Sequence, residues 1–119
     1  MADQMTTKKV LVTGATGYIG RRLTHRLLET SALNVRILVR NRNKVQVTIA
    51  DQVEMHEGST FDKESLAAAL NGIDTAFYLI HSMGGTEDYR NLDRVSAENF
   101  RDASIAAGVR RSIFIDDIL

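Results

Sequence analysis

"KKVLVTGATGYIG", residues 8–20, sets a short apolar run directly before three glycines spaced three apart, Gly14, Gly17 and Gly20. A β-branched run, then glycines, then Ile19, Leu23 and Leu27 at four-residue steps predicts a strand, a tight turn and an amphipathic helix. The chain holds only eight glycines, so three in one turn is a concentrated use of them. Glycine lacks a Cβ, tolerates unusual backbone angles and lets another group approach the main chain closely. A strand, a glycine turn and a helix start together aim free N–H groups and the positive end of a helix at one point, which suits a diphosphate. Gly14 then permits the sharp exit from the strand, Gly17 the approach of the pyrophosphate, and Gly20 the packing of the helix near the sheet. The pattern is G-x-x-G-x-x-G, with Ala15 standing where G-x-G-x-x-G has its first glycine. A P-loop fits poorly, because Gly20 is followed by Arg21 and Arg22 rather than by Lys and Ser or Thr.

Outward from this turn, four more short apolar runs read as strands: "VRILV" (35–39), "VEMHE" (53–57), "TAFYLI" (75–80) and "SIFI" (112–115). Helices are expected between them. Asp62 caps one carrying Leu66, Ala69 and Leu70. A longer one runs from about Asp88 to Ala107, with Leu92, Val95, Ala97, Phe100 and Ala103 near one face and Gly108 placed to end it. In "RNKVQVTIADQ", Val45, Val47 and Ile49 alternate like a strand, while the position of the segment calls for a helix or a long connection. Strands alternating with helices predict an α/β fold, a Rossmann-like doubly wound parallel sheet of about five strands in order 3-2-1-4-5. Ligands of such sheets bind beyond the carboxyl ends of the strands, where the strand order reverses. The glycine turn lies at that end of the first strand.

Composition narrows the rest. With 119 residues, 44% of them hydrophobic, the chain fits one domain, 1–119. Fifteen basic and fifteen acidic residues cancel, so no global field draws it to nucleic acid or an anionic membrane. Cysteine is absent, which excludes disulfides and thiolate metal sites and agrees with a cytoplasmic setting. No apolar run approaches a membrane span, and "MADQMTTKK" lacks the apolar core of a secretory signal.

The second informative position is the end of strand two, where a carboxylate would hydrogen-bond the adenosine ribose of NAD. The chain has "LVRNRNK" there. Arg40 offers a cation where a 2′-phosphate would sit and no acid repels it, so NADP is expected, with NAD as the alternative. Arg42 and Lys44 read at least as well as a solvated basic loop.

Taken together, "LVTGATGYIG", "LNGIDTAFYLIHSM" and "AENFRDASIAAGVRR" resemble the atypical short-chain dehydrogenase/reductases, in particular the NmrA-like NAD(P)H-binding group, from about Lys8 to Phe114. The resemblance implies Gly14, Thr16, Gly17, Tyr18, Ile19 and Gly20 around the diphosphate and Arg40 at the ribose-discriminating position. It also implies that Ile80, His81 and Ser82 form a wall along the middle of the cofactor; His81 itself reads as a strand-end histidine and is assigned no acid/base role. Three departures stand out. The family's Gly-Asp after strand three, whose acid contacts adenine, is Gly58-Ser59 here. Asp116 and Asp117 stand where small residues near the nicotinamide are usual. The Y-x-x-x-K catalytic half of the superfamily is not found: four residues after Tyr18, Tyr78 and Tyr89 come Arg22, Ser82 and Asp93. No catalytic residue is assigned, and no metal site. The expected function is the dinucleotide-binding portion of an NAD(P)-dependent oxidoreductase-like protein. The alternatives are a non-catalytic dinucleotide sensor and a truncated or engineered Rossmann scaffold.

Right-handed crossovers are expected to put the first two helices over strands one to three and the next two on the opposite face. Strands four and five are then bare on the first face, where Phe77, Tyr78, Ile113 or Ile115, whichever point that way, would form an apolar patch. Self-association at the strand-five end of the sheet is expected.

Overall fold

Five strands pair in parallel around the predicted glycine turn. The computed structural model describes residues 8–30, 32–79 and 87–115. In chain order the elements are β1 (Lys8–Thr13), α1 (Tyr18–Leu28), β2 (Leu33–Val39), α2 (Val47–Ala50), β3 (Glu54–Glu57), α3 (Lys63–Leu70), β4 (Thr75–Tyr78), α4 (Glu87–Ala107) and β5 (Arg111–Phe114). The spatial order is β3-β2-β1-β4-β5, the expected 3-2-1-4-5, and every pairing is parallel. The register sets Val10 beside Val35, Val12 beside Phe77, and Phe77 beside Ile113.

Because side chains alternate across a strand, that register sorts the core into two layers. On one face Val10, Val12, Val35, Ile37 and Val39 are buried under α1, whose stripe Ile19, Leu23 and Leu27 packs on them. On the other, Leu11, Leu38, Ala76 and Tyr78 are buried with Leu66, Ala69 and Leu70 of α3 and Phe100 of α4. Asp62 caps α3 as expected, its Oδ1 accepting from the amides of Glu64 at 3.1 Å and Ser65 at 3.4 Å. Gly108 takes φ +76° just beyond α4.

One open alternative is decided and one expectation changes. The segment after β2 is not a strand: Arg42–Lys44 form a 3-10 turn and Val47–Ala50 a single helical turn. Of its three alternating residues only Ile49 is buried, at 3% exposed, while Val47 is 79% exposed. In α4 the line against the core is Ser96, Phe100 and Ser104, with Ala97 and Ala103 partly buried, whereas Leu92 and Val95 are exposed. Tyr78 also resolves to one side. It lies under α4, so of the four candidates for a bare patch it is excluded.

A charged residue sits inside. Arg36 of β2 is 6% exposed and its Nη1 donates to the carbonyls of Ala69 and Asn71, both at 2.8 Å, while its Nε donates to Glu54 Oε1 at 3.0 Å. It thereby satisfies carbonyls that the end of α3 leaves without helical partners, and locks that helix to the sheet. No helix among the described residues is long and apolar enough to cross a membrane.

Candidate functional site

The site begins at the C-terminal end of β1, the middle strand. Gly14 takes φ +93°, a conformation that side chains rarely adopt, and a Cβ there would press on the backbone of Leu79 at 3.1 Å. A Cβ at Gly20 would overlap the carbonyl oxygen of Gly14, so α1 can start this close to the strand exit only with glycine. Gly17 differs. A Cβ there would meet Gly14 O at an ordinary 3.5 Å, so internal packing does not demand glycine at that position. Glycine there leaves the main chain bare toward solvent.

Gly17 is also the N-cap of α1, in extended conformation and with no side chain to cap the helix. Its own N–H closes the turn onto Gly14 O at 3.2 Å, and its carbonyl accepts from Arg21 N at 2.9 Å. The next three amides, of Tyr18, Ile19 and Gly20, have no hydrogen-bond partner among the described residues. They are the orphan donors of a helix start, and no acidic side chain stands in the first turn to use them. Thr16, Gly17 and Tyr18 are exposed. Tyr18 is steadied by Arg22, whose guanidinium lies 5.3 Å from its ring centroid.

A groove runs from this turn across the point where strand order reverses, lined by Gly14, Gly17, Tyr18, Ile19, Gly20, Leu79 and Ile115. Leu79 continues the β4 ladder, its N–H donating to Thr13 O at 3.0 Å, and Ile115 does the same for β5 against Tyr78 O at 2.9 Å. Neither was singled out from the sequence as part of the site, because only the parallel pairing of β1, β4 and β5 brings them opposite the glycines. Ile80, His81, Ser82, Asp116 and Asp117 lie outside the described residues.

On the other side of the turn stand the cations. Arg40 is exposed immediately beyond β2, and among the described residues it has no ion-pair partner. Arg42 is diverted: its N–H donates to Glu57 Oε2 at 3.0 Å and its Nε lies 3.5 Å from Glu57 Oε1. Lys44 and Arg21 both edge a crevice that includes Ala15 and Thr16. The structure thus brings Gly14, Thr16, Gly17, Tyr18, Ile19 and Gly20 into one turn and sets Arg40 on the adjoining strand. A diphosphate fits this cradle, since it supplies acceptors for three orphan amides, sits at the positive end of α1 and meets no carboxylate in its first turn. No cluster of His, Asp and Glu that could hold a metal occurs among the described residues.

Comparison with known proteins agrees with this geometry. The model of the NAD(P)H-binding family matches residues 14–119. The chain is 36% identical over 104 residues to a (4-alkanoyl-5-oxo-2,5-dihydrofuran-3-yl)methyl phosphate reductase of Streptomyces griseus, covering 87% of this chain and 33% of that protein. It is 32% identical over 118 residues to a 3 beta-hydroxysteroid dehydrogenase/Delta 5-->4-isomerase of Mycobacterium tuberculosis, covering 89% of this chain and 30% of that protein. Among solved structures, a Citrobacter sp. triphenylmethane reductase complexed with NADP(H) superposes with a TM-score of 0.73 at 31% identity, over 88% of this chain and 36% of that one. The chain therefore spans about a third of the length of these relatives. A central-strand glycine turn, a doubly wound parallel sheet and a family match running from Gly14 onward lead to one conclusion: the chain belongs to the NAD(P)H-binding family, on a Rossmann fold.

Proposed function

We propose that this chain is the dinucleotide-binding portion of an NmrA-like oxidoreductase of the atypical short-chain dehydrogenase/reductase type, working in the cytoplasm and favouring NADP over NAD. The observation that carries the reading is the start of α1. Three amides there have no partner among the described residues and follow directly on an exposed glycine that packing does not require, one strand away from a solvent-facing arginine. In this reading the amides of Tyr18, Ile19 and Gly20 hold the diphosphate, and Arg40 pairs with the 2′-phosphate, seconded by Lys44 and Arg21 at the rim of the crevice. Ile19, Leu79 and Ile115 give the nicotinamide half an apolar floor, with Ile80, His81 and Ser82 along the cofactor's middle. The NADP(H) complex of the Citrobacter reductase supports the preference for the phosphorylated cofactor. When bound, the cofactor supplies hydride chemistry; the residues named here bind and orient it.

Titration with NADPH and NADH, followed by nicotinamide fluorescence, tests this. Tighter binding of NADPH by at least about tenfold is expected, as for a charge-assisted contact, together with loss of that preference in Arg40→Ala. No binding of either at millimolar concentration sinks the proposal.

At the β5 margin of the sheet we also propose self-association. Phe77 and Ile115 are only partly buried on the face that α1 covers over β1 and β2, and Phe114 on the β5 edge is 46% exposed. A second copy seated there would cover the apolar strip and the open strand edge together.

A further inference from the structure

Among the described residues β5 pairs with β4 alone, and its outer edge is open. The amides of Arg111 and Ile115 are used on the inner side, donating to Asp74 O at 3.2 Å and to Tyr78 O at 2.9 Å. Main-chain groups alternate in direction along a strand, so Ile113 turns inward as well, while Ser112 and Phe114 turn their N–H and C=O groups outward. Both residues are exposed. Natural sheets blunt such an edge with proline, charge or a bulge, yet Ser112, Ile113, Phe114 and Ile115 include neither proline nor a charged residue.

The edge is also complementary to itself. Ile115 and Phe77 pack on the α1-side core, and the two-residue period puts Ile113 on that face too. Phe114 faces the other way, with its ring centroid 5.2 Å from that of Tyr78 and 5.7 Å from that of Phe100. In an antiparallel pair, residues directly opposite both turn outward or both turn inward, so a twofold axis can fall only on a residue. Counted along the sequence, an axis at Ser112 or Ile113 sets Arg111 opposite an isoleucine, and one at Ile115 sets Ile113 opposite Asp117. Only at Phe114 does Ile113 face Ile115 and Arg111 face Asp117. Charge fixes the direction. Arg110 and Arg111 precede the apolar run and Asp116 and Asp117 follow it, so antiparallel copies bring unlike ends together and parallel copies like ends. Arg110 and Arg111 are exposed and make no ion pair among the described residues.

We propose, resting on the self-association reading above, that two copies of this chain join β5 to β5, antiparallel about a twofold axis at Phe114, into one continuous sheet. The contact is isologous, so it uses both open β5 edges and closes at a dimer. Light scattering on a sizing column should show a mass that rises with concentration and levels off at twice the 13.2 kDa of one chain. Cross-linking reads the register, since the chain has no cysteine of its own. Facing residues of a non-hydrogen-bonded pair lie about 4.5 Å apart between Cα atoms, within disulfide reach, and diagonal ones about 7–8 Å, beyond it. A mixture of Ile113→Cys and Ile115→Cys chains in a glutathione buffer should therefore link at least about tenfold more than either variant alone. Arg110→Glu with Arg111→Glu sets acid against acid and should weaken the dimer at least about tenfold, and adding Asp116→Lys and Asp117→Lys should regain it. A mass that climbs past two chains, undiminished association in the double reversal, or equal linking in the mixture and the single variants overturns the antiparallel pairing and leaves self-association standing. So does a fourfold variant that melts normally without regaining the dimer. A monomer mass at every concentration sinks the self-association reading, and this one with it.

Discussion

At the scale of single residues, the three glycines of one turn separate by what surrounds them. Gly20 faces the Gly14 carbonyl at overlap distance, so Gly20→Ala must push α1 off the strand exit. It should cost about 1–3 kcal/mol, as overpacking of a tight site does, read as a lower midpoint in urea. Gly17→Ala meets only ordinary contact and should change stability by less than about 0.5 kcal/mol. Its NADPH dissociation constant should nonetheless rise at least about tenfold, because the added methyl would fill open space that the proposed diphosphate needs beside the helix start. Equal stability losses in the two variants would contradict this division. Arg36 makes a second case. Arg36→Leu leaves the Ala69 and Asn71 carbonyls without their donor and should cost about 2–4 kcal/mol. The Arg36 guanidinium, with a smaller contribution from His56, holds the Glu54 carboxyl below its ordinary 4.5. A carboxyl lowered on folding stabilises the native state above its unfolded value, and that contribution is lost as pH falls through the lowered one. Glu54→Gln should therefore lower stability slightly at neutral pH, leave it unchanged well below pH 4.5, and so flatten the acid limb between them; the loss is small because the Glu54 side chain is 56% exposed. The glycines and Arg40 could be picked out in the sequence because spacing from β1 and β2 locates them. The fate of Arg42 could not, since Glu57 is 15 residues away and reaches it only once β2 and β3 pair.

At the scale of elements, α4 shows where periodicity misleads. Its length and its end at Gly108 follow from composition and spacing, yet Leu92 and Val95 face out and Ser96 and Ser104 face in. Apolar residues scattered over a wide arc leave the buried meridian of a helix undetermined; what decided it was a hydrogen-bonding demand. Ser96 satisfies both Thr60 and Tyr78, so turning the helix to bury Leu92 and Val95 would orphan two hydroxyls. Burial pushes the Tyr78 hydroxyl above its ordinary 10.0, against the lowering effect of Ser96. The two buried serines should respond in opposite directions. Ser96→Ala strands two buried hydroxyls and should cost about 1–3 kcal/mol in chemical denaturation. Ser104 Oγ has no hydrogen-bond partner among the described residues, so Ser104→Ala removes an unpaired polar atom and should be neutral or stabilising by up to about 1 kcal/mol. Matching losses would refute the network as the reason for the orientation of α4.

For the molecule as a whole, the asymmetry of the sheet is the leading feature. Both faces of β1 and β2 are covered, while the α1-side face of β4 and β5 carries Phe77 and Ile115 only partly buried. Phe114 closes a ring cluster with Tyr78 and Phe100, at centroid distances of 5.2 and 5.7 Å, yet stays 46% exposed. Light scattering on a sizing column should give a mass that rises above that of one 13.2 kDa chain as concentration increases. A single concentration-independent monomer mass would remove the self-association proposal and leave the dinucleotide site untouched. Ile115 belongs to both, lining the groove at the glycine turn and continuing the apolar strip.

The amino-acid order by itself determined the fold class, the strand order and the turn around which the site is built. Those depend on local periodicity, on glycine backbone freedom and on the handedness of crossovers, all of which act over a few tens of residues. Only the tertiary structure decided which cation is diverted into an ion pair, which helix face is buried, and that Leu79 and Ile115 line the groove beside the glycine turn. Each of those is settled by side chains from distant strands competing for the same hydrogen bonds and the same apolar space, and no local pattern carries the outcome of that competition.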